Sequence, residues 1–283
     1  MRTVNDLYLD LRAELREKKL EDYQLEAREL VCRALGITKD ELLAKKTQFV
    51  FEPEEKRLDE LKNLRLSGVP LQYLVGEWEF YGLDFFVTPD TLIPRSDTET
   101  LAELAINTLS GKQNGRLLDL CCGTGCVGIA VLLHISDKIN GVFADISEPA
   151  LAVARKNILR HNLGARACAL KADALKPAPG ILGKFDFIAC NPPYIKTSEM
   201  QTLSAEVKNE PKIALDGGED GLAFYRAISR NYKSALNPGG TLAFEVGAGQ
   251  SKDVAEIMEN AGFSGIGIRE DSSKIERVVF GTV

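Results

Sequence analysis

From residue 116 onward the chain alternates short apolar runs with longer amphipathic segments, and this alternation most restricts the folds open to it. The apolar runs are RLLDL, GVFAD, ARACALKAD, FDFIAC, TLAFEV and SGIGI. Between them lie segments such as SEPALAVARKNILRHN, whose apolar residues recur at helical spacing. Short strands that alternate with helices predict an α/β domain built on a doubly wound parallel sheet.

The end of the chain departs from this alternation. GFSGIGIRE and IERVVFGTV are separated only by a short polar turn, which is too short for the crossover helix that a parallel pair needs. We therefore predict that the last strand returns antiparallel to its neighbour.

Residues 1–75 have a different pattern, which predicts a small domain of four or five short helices. Leu7, Leu11 and Leu15 fall on one helical face. Thr38-Lys39-Asp40-Glu41 has the form of a capping box, which marks the start of a helix.

Between these two parts the pattern of residue types changes. In EWEFYGLDFFVTPDTLI aromatic residues flank Tyr81-Gly82. This pattern predicts a β-hairpin. We therefore divide the chain into a helical domain (1–75), a hairpin linker (76–95) and an α/β domain (96–283).

Composition limits the possible partners. The chain has a net charge of −6 and a pI near 5.2, and residues 1–75 carry 14 Lys/Arg against 15 Asp/Glu. A protein that holds nucleic acid by neutralising phosphates needs a dense basic surface, so we expect no direct nucleic-acid partner. The start, MRTVNDLYLDLRAE, has no apolar signal core and no later segment approaches a membrane span, so we expect a cytosolic protein without a membrane partner.

The cysteines do not indicate a metal site. Six are present, at positions 32, 121, 122, 126, 168 and 190, without the paired spacing of a zinc site, and the chain has only two histidines. We expect reduced thiols and no metal.

LLDLCCGTGCVGIAVLL, residues 117–133, predicts a strand that turns through glycines into a helix. Gly123-Thr-Gly125-Cys-Val-Gly128 matches the dinucleotide fingerprint, and Asp145 follows Gly125 by twenty residues. Glycines let the backbone approach a ligand, and a carboxylate that ends the second strand can bind a ribose diol. A nicotinamide enzyme and a tight turn needed only for packing are the alternatives.

Two features favour S-adenosylmethionine as the ligand of this loop. Asp119 lies inside the end of the first strand, and Cys121 and Cys122 precede the glycines, whereas a pyrophosphate requires its glycines directly after the strand.

Two carboxylates have a second interpretation. Asp145 could belong to a helix N-terminus, because Ser147 and Glu148 follow it. Asp173 ends the third strand where it could face an adenine amino group, but it could equally be a helix cap or a surface carboxylate.

The run FDFIAC ends abruptly in Asn191-Pro192-Pro193-Tyr194. As the fourth strand it should lie beside the first, so that this loop faces the glycine loop across the crevice. Asn191 offers a side-chain carbonyl, Pro192 a backbone carbonyl without a competing N–H, and Pro193 restricts Pro192 to an extended conformation. The Tyr194 ring would supply a flat surface against which a planar substrate group could pack.

Two rigid acceptors fit an NH₂ group conjugated to a π-system. Holding both N–H groups orients the nitrogen lone pair towards an incoming methyl group and favours the pyramidal transition state. Hydride transfer by a nicotinamide enzyme does not require such a pair of acceptors. The alternative interpretation of NPPY is an ordinary turn.

The chain resembles the release factor glutamine N5-methyltransferases, the HemK/PrmC family. The resemblance lies in PLQYLVGEWEFYGLDF, TLIPRSDTE, LLDLCCGTGCVGIA, DFIACNPPYI, NEPKIALDGGEDGLAFYRAI and ERVVFG, and it runs through most of the chain. NPPY is shared with other amino-methylating enzymes, whereas the linker and DGGEDGL are specific to this family.

This resemblance implies a seven-stranded, Rossmann-like S-adenosylmethionine-dependent methyltransferase domain behind a helical domain that helps dock a class 1 peptide chain release factor. The methyl acceptor would be the side-chain amide of the glutamine in that factor's Gly-Gly-Gln motif, and the cofactor product S-adenosylhomocysteine. Carried over by position, Cys121, Cys122, Gly123, Thr124, Gly125 and Asp145 would bind the cofactor, with Ala174 beside the adenine. Asn191 would touch cofactor and glutamine, and Pro192, Pro193 and Tyr194 would complete the substrate site.

The chain departs from the family pattern at three places. It has Cys121 where glycine is usual, Ser96 and Asp97 where proline and glutamate usually follow IPR, and Ala174 where an aromatic residue is frequent. The alternatives in function are an amino methyltransferase acting on adenine or cytosine of nucleic acid, and a non-catalytic module that binds a translation partner.

Overall fold

The computed structural model describes residues 1–283. It comprises two compact units, one of Met1–Glu77 with Ser204–Asn209 and one of Trp78–Leu203 with Glu210–Val283. The helices are α1 Val4–Glu17, α2 Tyr23–Leu35, α3 Lys39–Ala44, α4 Glu52–Leu66, α5 Leu71–Val75, α6 Glu99–Leu109, α7 Cys126–His134, α8 Glu148–Arg160, α9 Ala205–Lys208, α10 Ala223–Asn231 and α11 Ser251–Asn260. The strands are β1 Glu77–Phe80, β2 Leu83–Phe86, β3 Gly115–Leu120, β4 Ile139–Asp145, β5 Ala167–Lys171, β6 Phe185–Cys190, β7 Leu236–Glu245, β8 Ser264–Glu270 and β9 Glu276–Thr282.

The N-terminal unit contains α1 to α5, within the predicted range of helix number. Leu7, Leu11 and Leu15 are all buried on one face of α1, as the spacing predicts. The capping box at α3 is also present: Thr38 N donates to Glu41 at 2.9 Å, and Glu41 N donates to the Thr38 hydroxyl at 3.2 Å. None of the helices in the chain is both long enough and apolar enough to span a bilayer.

A buried arginine joins α9 to this helical unit. Arg65 of α4 bonds both carboxylate oxygens of Glu26 in α2, at 2.6 and 2.9 Å, and reaches Glu206 of α9 at 2.6 Å. Glu206 lies 141 residues further along the chain, so no local pattern predicts the pairing.

The aromatic segment forms the predicted hairpin, β1–β2. Its turn residues, Tyr81 and Gly82, have φ values of 54° and 73°, the left-handed pair of a two-residue turn that matches the twist of the strands.

The seven-stranded sheet has the order β5-β4-β3-β6-β7-β9-β8. All pairs are parallel except those made by β9, which runs antiparallel to both neighbours, as predicted. FDFIAC, β6, lies beside the first strand of this sheet, β3, with Leu120 opposite Cys190. Helices cover both faces, and the winding reverses between β3 and β6, so their C-terminal ends flank the crevice.

Candidate functional site

The loop between β3 and α7 has an unusual backbone. Cys121, Gly123 and Gly125 have φ values of 60°, 52° and 79°. The loop is closed by hydrogen bonds from Gly125 N to the Cys122 carbonyl at 2.7 Å and from Cys122 N to the Ala144 carbonyl at 3.1 Å. Left-handed backbone is favourable for glycine but strained for Cys121, one of the positions where this chain departs from the family pattern.

Asp119 is a buried carboxylate beneath this loop. It accepts a hydrogen bond from Gly128 N of α7 at 2.9 Å, and burial raises its pKa to about 8. Asp119 is not among the site residues predicted from the sequence, although its position favoured S-adenosylmethionine as the ligand of this loop. The signal was a charged residue inside the apolar run RLLDL.

Asp145 contacts both the glycine loop and the start of α8, and the second contact agrees with one of its two predicted interpretations, a residue at a helix N-terminus. One carboxylate oxygen accepts from Gly123 N of the glycine loop at 3.0 Å, and the other accepts from Ser147 N at 2.9 Å. Ser147 is the N-cap of α8, and its hydroxyl accepts from Ala150 N. Burial raises the Asp145 pKa, and hydrogen bonds from the backbone, those of Ser147 and Gly123 foremost, oppose that shift.

Asp173 and Ala174 follow β5. The Asp173 carboxylate accepts from Leu175 N at 3.0 Å and lies 3.6 Å from the Lys176 ammonium. This is the turn-capping arrangement, and yet both residues also line the cavity described below.

The NPPY loop leaves two acceptor oxygens unused by the protein. The Asn191 side-chain nitrogen donates to the Thr98 hydroxyl at 3.4 Å, which leaves the carbonyl end of the amide without a protein donor. The backbone carbonyl of Pro192 accepts no hydrogen bond from the chain either.

A second segment supports this loop from behind. Ile195 N donates to the Leu215 carbonyl at 2.9 Å, and Gly217 N donates to the Ile195 carbonyl at 2.8 Å. The Gln250 side chain donates to the Tyr194 carbonyl at 3.1 Å. Burial raises the pKa of the Tyr194 phenol to about 12, so the phenol stays neutral at physiological pH.

One cavity of about 230 Å³, far larger than a water site, lies at the C-terminal ends of β3, β4, β5 and β6. It is lined by most of the predicted residues: Cys121, Cys122, Gly123, Thr124, Asp145, Asp173, Ala174, Asn191 and Pro193. Gly125, Pro192 and Tyr194 are not among its lining residues, and Tyr194 instead lines a more open recess with Gly247–Gln250.

The cavity also has walls that sequence reasoning did not assign to the site. They comprise Leu92, Ile93, Pro94, Arg95, Thr98, Asp119, Ile146, Ile213 and Phe224, among others. The buried Glu210 side chain fixes the segment 92–95 of this lining. Its carboxylate accepts a hydrogen bond from Ile93 N at 3.1 Å and pairs with Arg95. The available signal was the pair of segments TLIPRSDTE and NEPKIAL, which this contact joins.

Comparison with known proteins agrees with this architecture. Residues 6–76 match the PrmC N-terminal domain family, and residues 95–219 match the Methyltransferase small domain family. Among solved structures, the hMettl16 catalytic domain superposes with a TM-score of 0.58 at 15% identity over 81% of each chain, which shows a shared fold.

Full-length relatives are also similar in sequence. The release factor glutamine methyltransferase of Clostridium botulinum is 34% identical over 98% of both chains. That of Geobacter sulfurreducens is 38% identical over 96% of this chain and 94% of its own length.

Proposed function

The chain belongs to the release factor glutamine methyltransferase family, and on that premise we propose that it methylates the glutamine of the Gly-Gly-Gln motif in class 1 peptide chain release factors. The methyl donor is S-adenosylmethionine, the acceptor is the side-chain amide nitrogen (N5), and the cofactor product is S-adenosylhomocysteine.

The observation that carries this proposal is the pair of unused acceptors in the NPPY loop. The carbonyl end of the Asn191 amide and the Pro192 carbonyl have no protein donor, and the segment around Gly217 holds their loop in place. Two fixed acceptors match the two N–H groups of a primary amide.

The chemistry then follows from the position of these oxygens. An amide nitrogen is a poor nucleophile because its lone pair is delocalised into the carbonyl. Asn191 and Pro192 would accept its two N–H groups and direct the lone pair towards the methyl donor, so that the C–N bond would form as the S–C bond of the donor breaks. The methylated nitrogen is more acidic and loses a proton to water. The neutral Tyr194 phenol supplies a wall for the planar amide.

The lining of the cavity supports S-adenosylmethionine as the cofactor. Bound S-adenosylmethionine supplies a methyl group attached to a positively charged sulfur. Asp145 retains acceptor capacity for a ribose diol, since each oxygen uses one bond within the protein. Cys121 to Thr124 would hold the methionine end, with Gly125 closing their loop, and Asp173 and Ala174 would face the adenine.

We further assign a role to each part of the chain. The helical domain, residues 1–75, helps dock the release factor. Residues 76–95 link this domain to the α/β domain, and residues 96–283 carry out the methyl transfer. Because release factors act in translation termination, we expect this activity in the cytoplasm.

The test is methyl transfer from labelled S-adenosylmethionine to a purified, unmodified release factor. The matched control is the same factor with its Gly-Gly-Gln glutamine changed to alanine. Incorporation that disappears in the control supports the proposal. Normal cofactor binding without incorporation, or incorporation into an added DNA or RNA instead, would refute it.

A further inference from the structure

Glu245 ends β7 directly beside the NPPY loop. Cys190 of β6 is paired with Phe244 of β7, so the next residues, Asn191 and Glu245, leave neighbouring strands side by side. Glu245 is only 3% exposed, and its Oε2 atom has no hydrogen-bond partner. A buried carboxylate of this kind is costly and requires an explanation.

Three side chains meet at this point. The Asn191 side-chain nitrogen donates to the Thr98 hydroxyl at 3.4 Å, and the polar side chains of Thr98 and Asn191 both favour the ionised form of the Glu245 carboxylate. An ionised carboxylate can only accept hydrogen bonds. Beside an ionised Glu245 the Thr98 hydroxyl directs its proton towards the carboxylate, and the Thr98 oxygen is left to receive an N–H from Asn191.

We propose that Glu245 and Thr98 are positioning residues that fix which end of the Asn191 amide faces the substrate. This inference rests on the proposed function, because it concerns the amide that would accept the substrate N–H.

The need for such a device follows from the shape of an amide. Its oxygen and NH₂ ends are nearly the same size, so packing alone does not choose between them. A rotation of 180° would present the NH₂ of Asn191 to the NH₂ of the substrate, where two donors meet without an acceptor. An acceptor-only group behind Asn191 makes that orientation unfavourable.

Protonation of Glu245 would remove the restriction, because a carboxylic acid can donate to Thr98 and Thr98 could then donate to Asn191. Burial raises the Glu245 pKa to about 7. The charged or titratable groups that face it are Arg277 of β9, Asp97 before α6, Tyr194 of the NPPY loop, Tyr225 of α10 and Cys126 of α7. Burial raises the pKa values of Tyr194 and Cys126 to about 12, and that of Tyr225 well above its usual value.

The first test uses the hydroxyl of Thr98. Thr98→Val keeps the shape of the side chain but removes the hydroxyl that connects Glu245 to Asn191. We therefore expect kcat to fall by at least about tenfold with unchanged affinity for S-adenosylmethionine. Thr98→Ser restores the hydroxyl and should recover most of the loss. Thr100→Val, a half-buried change two residues along, is the matched control and should keep wild-type kcat.

The second test uses pH. In the wild type kcat should fall as pH drops below about 7, and Glu245→Gln should lose that dependence along with most of its activity at pH 8. Asp119 also titrates near neutrality but is present in both proteins, so the difference between the two profiles reports Glu245.

A third measurement does not depend on activity. In protein labelled at asparagine, the side-chain N–H groups of Asn191 should exchange slowly with solvent at pH 8 in the wild type and faster in Thr98→Val. Slow exchange in both proteins, or wild-type kcat in Thr98→Val, would overturn the positioning role while leaving the proposed function intact. A wild-type protein that transfers no methyl group to glutamine would overturn the proposed function and this inference with it.

Discussion

Gly217 lies directly against the backbone of Tyr194. A β-carbon at position 217 would come within 2.7 Å of the Tyr194 Cα and 2.8 Å of the Pro193 carbonyl oxygen, closer than van der Waals contact permits. The absence of a side chain at Gly217 therefore allows the supporting segment to touch the NPPY loop.

Gly217→Ala should displace this loop. We expect a loss of stability of about 1–3 kcal/mol from overpacking, and a fall in kcat that exceeds the change in cofactor affinity. Denaturant unfolding and steady-state kinetics measure the two effects. The control is Gly180→Ala, where no atom lies within 4 Å of the new β-carbon. Equal kinetics for both variants would contradict the supporting role.

Asn191→Ala should separate binding from chemistry. The variant loses an acceptor that is needed most in the transition state, so kcat should fall by about 10²–10³-fold while calorimetry shows S-adenosylmethionine bound. Asn114→Ala, at an exposed position, serves as control. Unchanged transfer by the Asn191 variant would exclude the proposed mechanism.

Asp145→Asn should weaken cofactor binding by about 10–100-fold, since it removes a charged acceptor for the ribose. The amide oxygen can still accept from one backbone N–H, so the fold should persist, which circular dichroism can verify. Asp137→Asn changes an exposed carboxylate before β4 and should leave affinity unaltered. A wild-type dissociation constant for Asp145→Asn would refute the assignment.

Cys121 should reveal its backbone strain when two small residues are compared there. Its φ of 60° favours glycine, so Cys121→Gly should be more stable than Cys121→Ala by about 1 kcal/mol in urea unfolding. At position 180, outside the left-handed region, alanine should be at least as stable as glycine. If alanine were at least as stable as glycine at position 121 as well, the loop would be shown to relax around Cys121.

Asp119 should make stability depend on pH. Its folded pKa of about 8 lies above its usual 3.8, so its stabilising contribution is complete below about pH 4 and is lost as pH rises through 8. The free energy of unfolding should therefore decrease between pH 6 and pH 9. Asp119→Asn keeps an acceptor for Gly128 N and should reduce that decrease, while Glu245 and Asp145, whose pKa values are also raised by burial, contribute to the remainder. An identical slope in the variant would disprove the assignment.

Sequence alone was sufficient for features that depend on neighbouring residues. The capping box at Thr38 spans four residues, the apolar face of α1 repeats every four, and the turn at Tyr81-Gly82 needs two residues with positive φ. The alternation of strands and helices likewise predicted the sheet, with the NPPY loop placed beside the glycine loop.

Sequence determined these features because hydrophobic periodicity and turn chemistry act over a few residues. Tertiary structure decided the rest, because its contacts join distant segments: Glu210 binds the backbone of Ile93, Arg65 pairs with Glu206, and Asn191 donates to Thr98. The pKa values of Asp119 and Glu245 also depend on burial, which exists only once the sheet has assembled. Residue types at short spacing therefore indicated the chemistry, and long-range packing decided which way each acceptor faces.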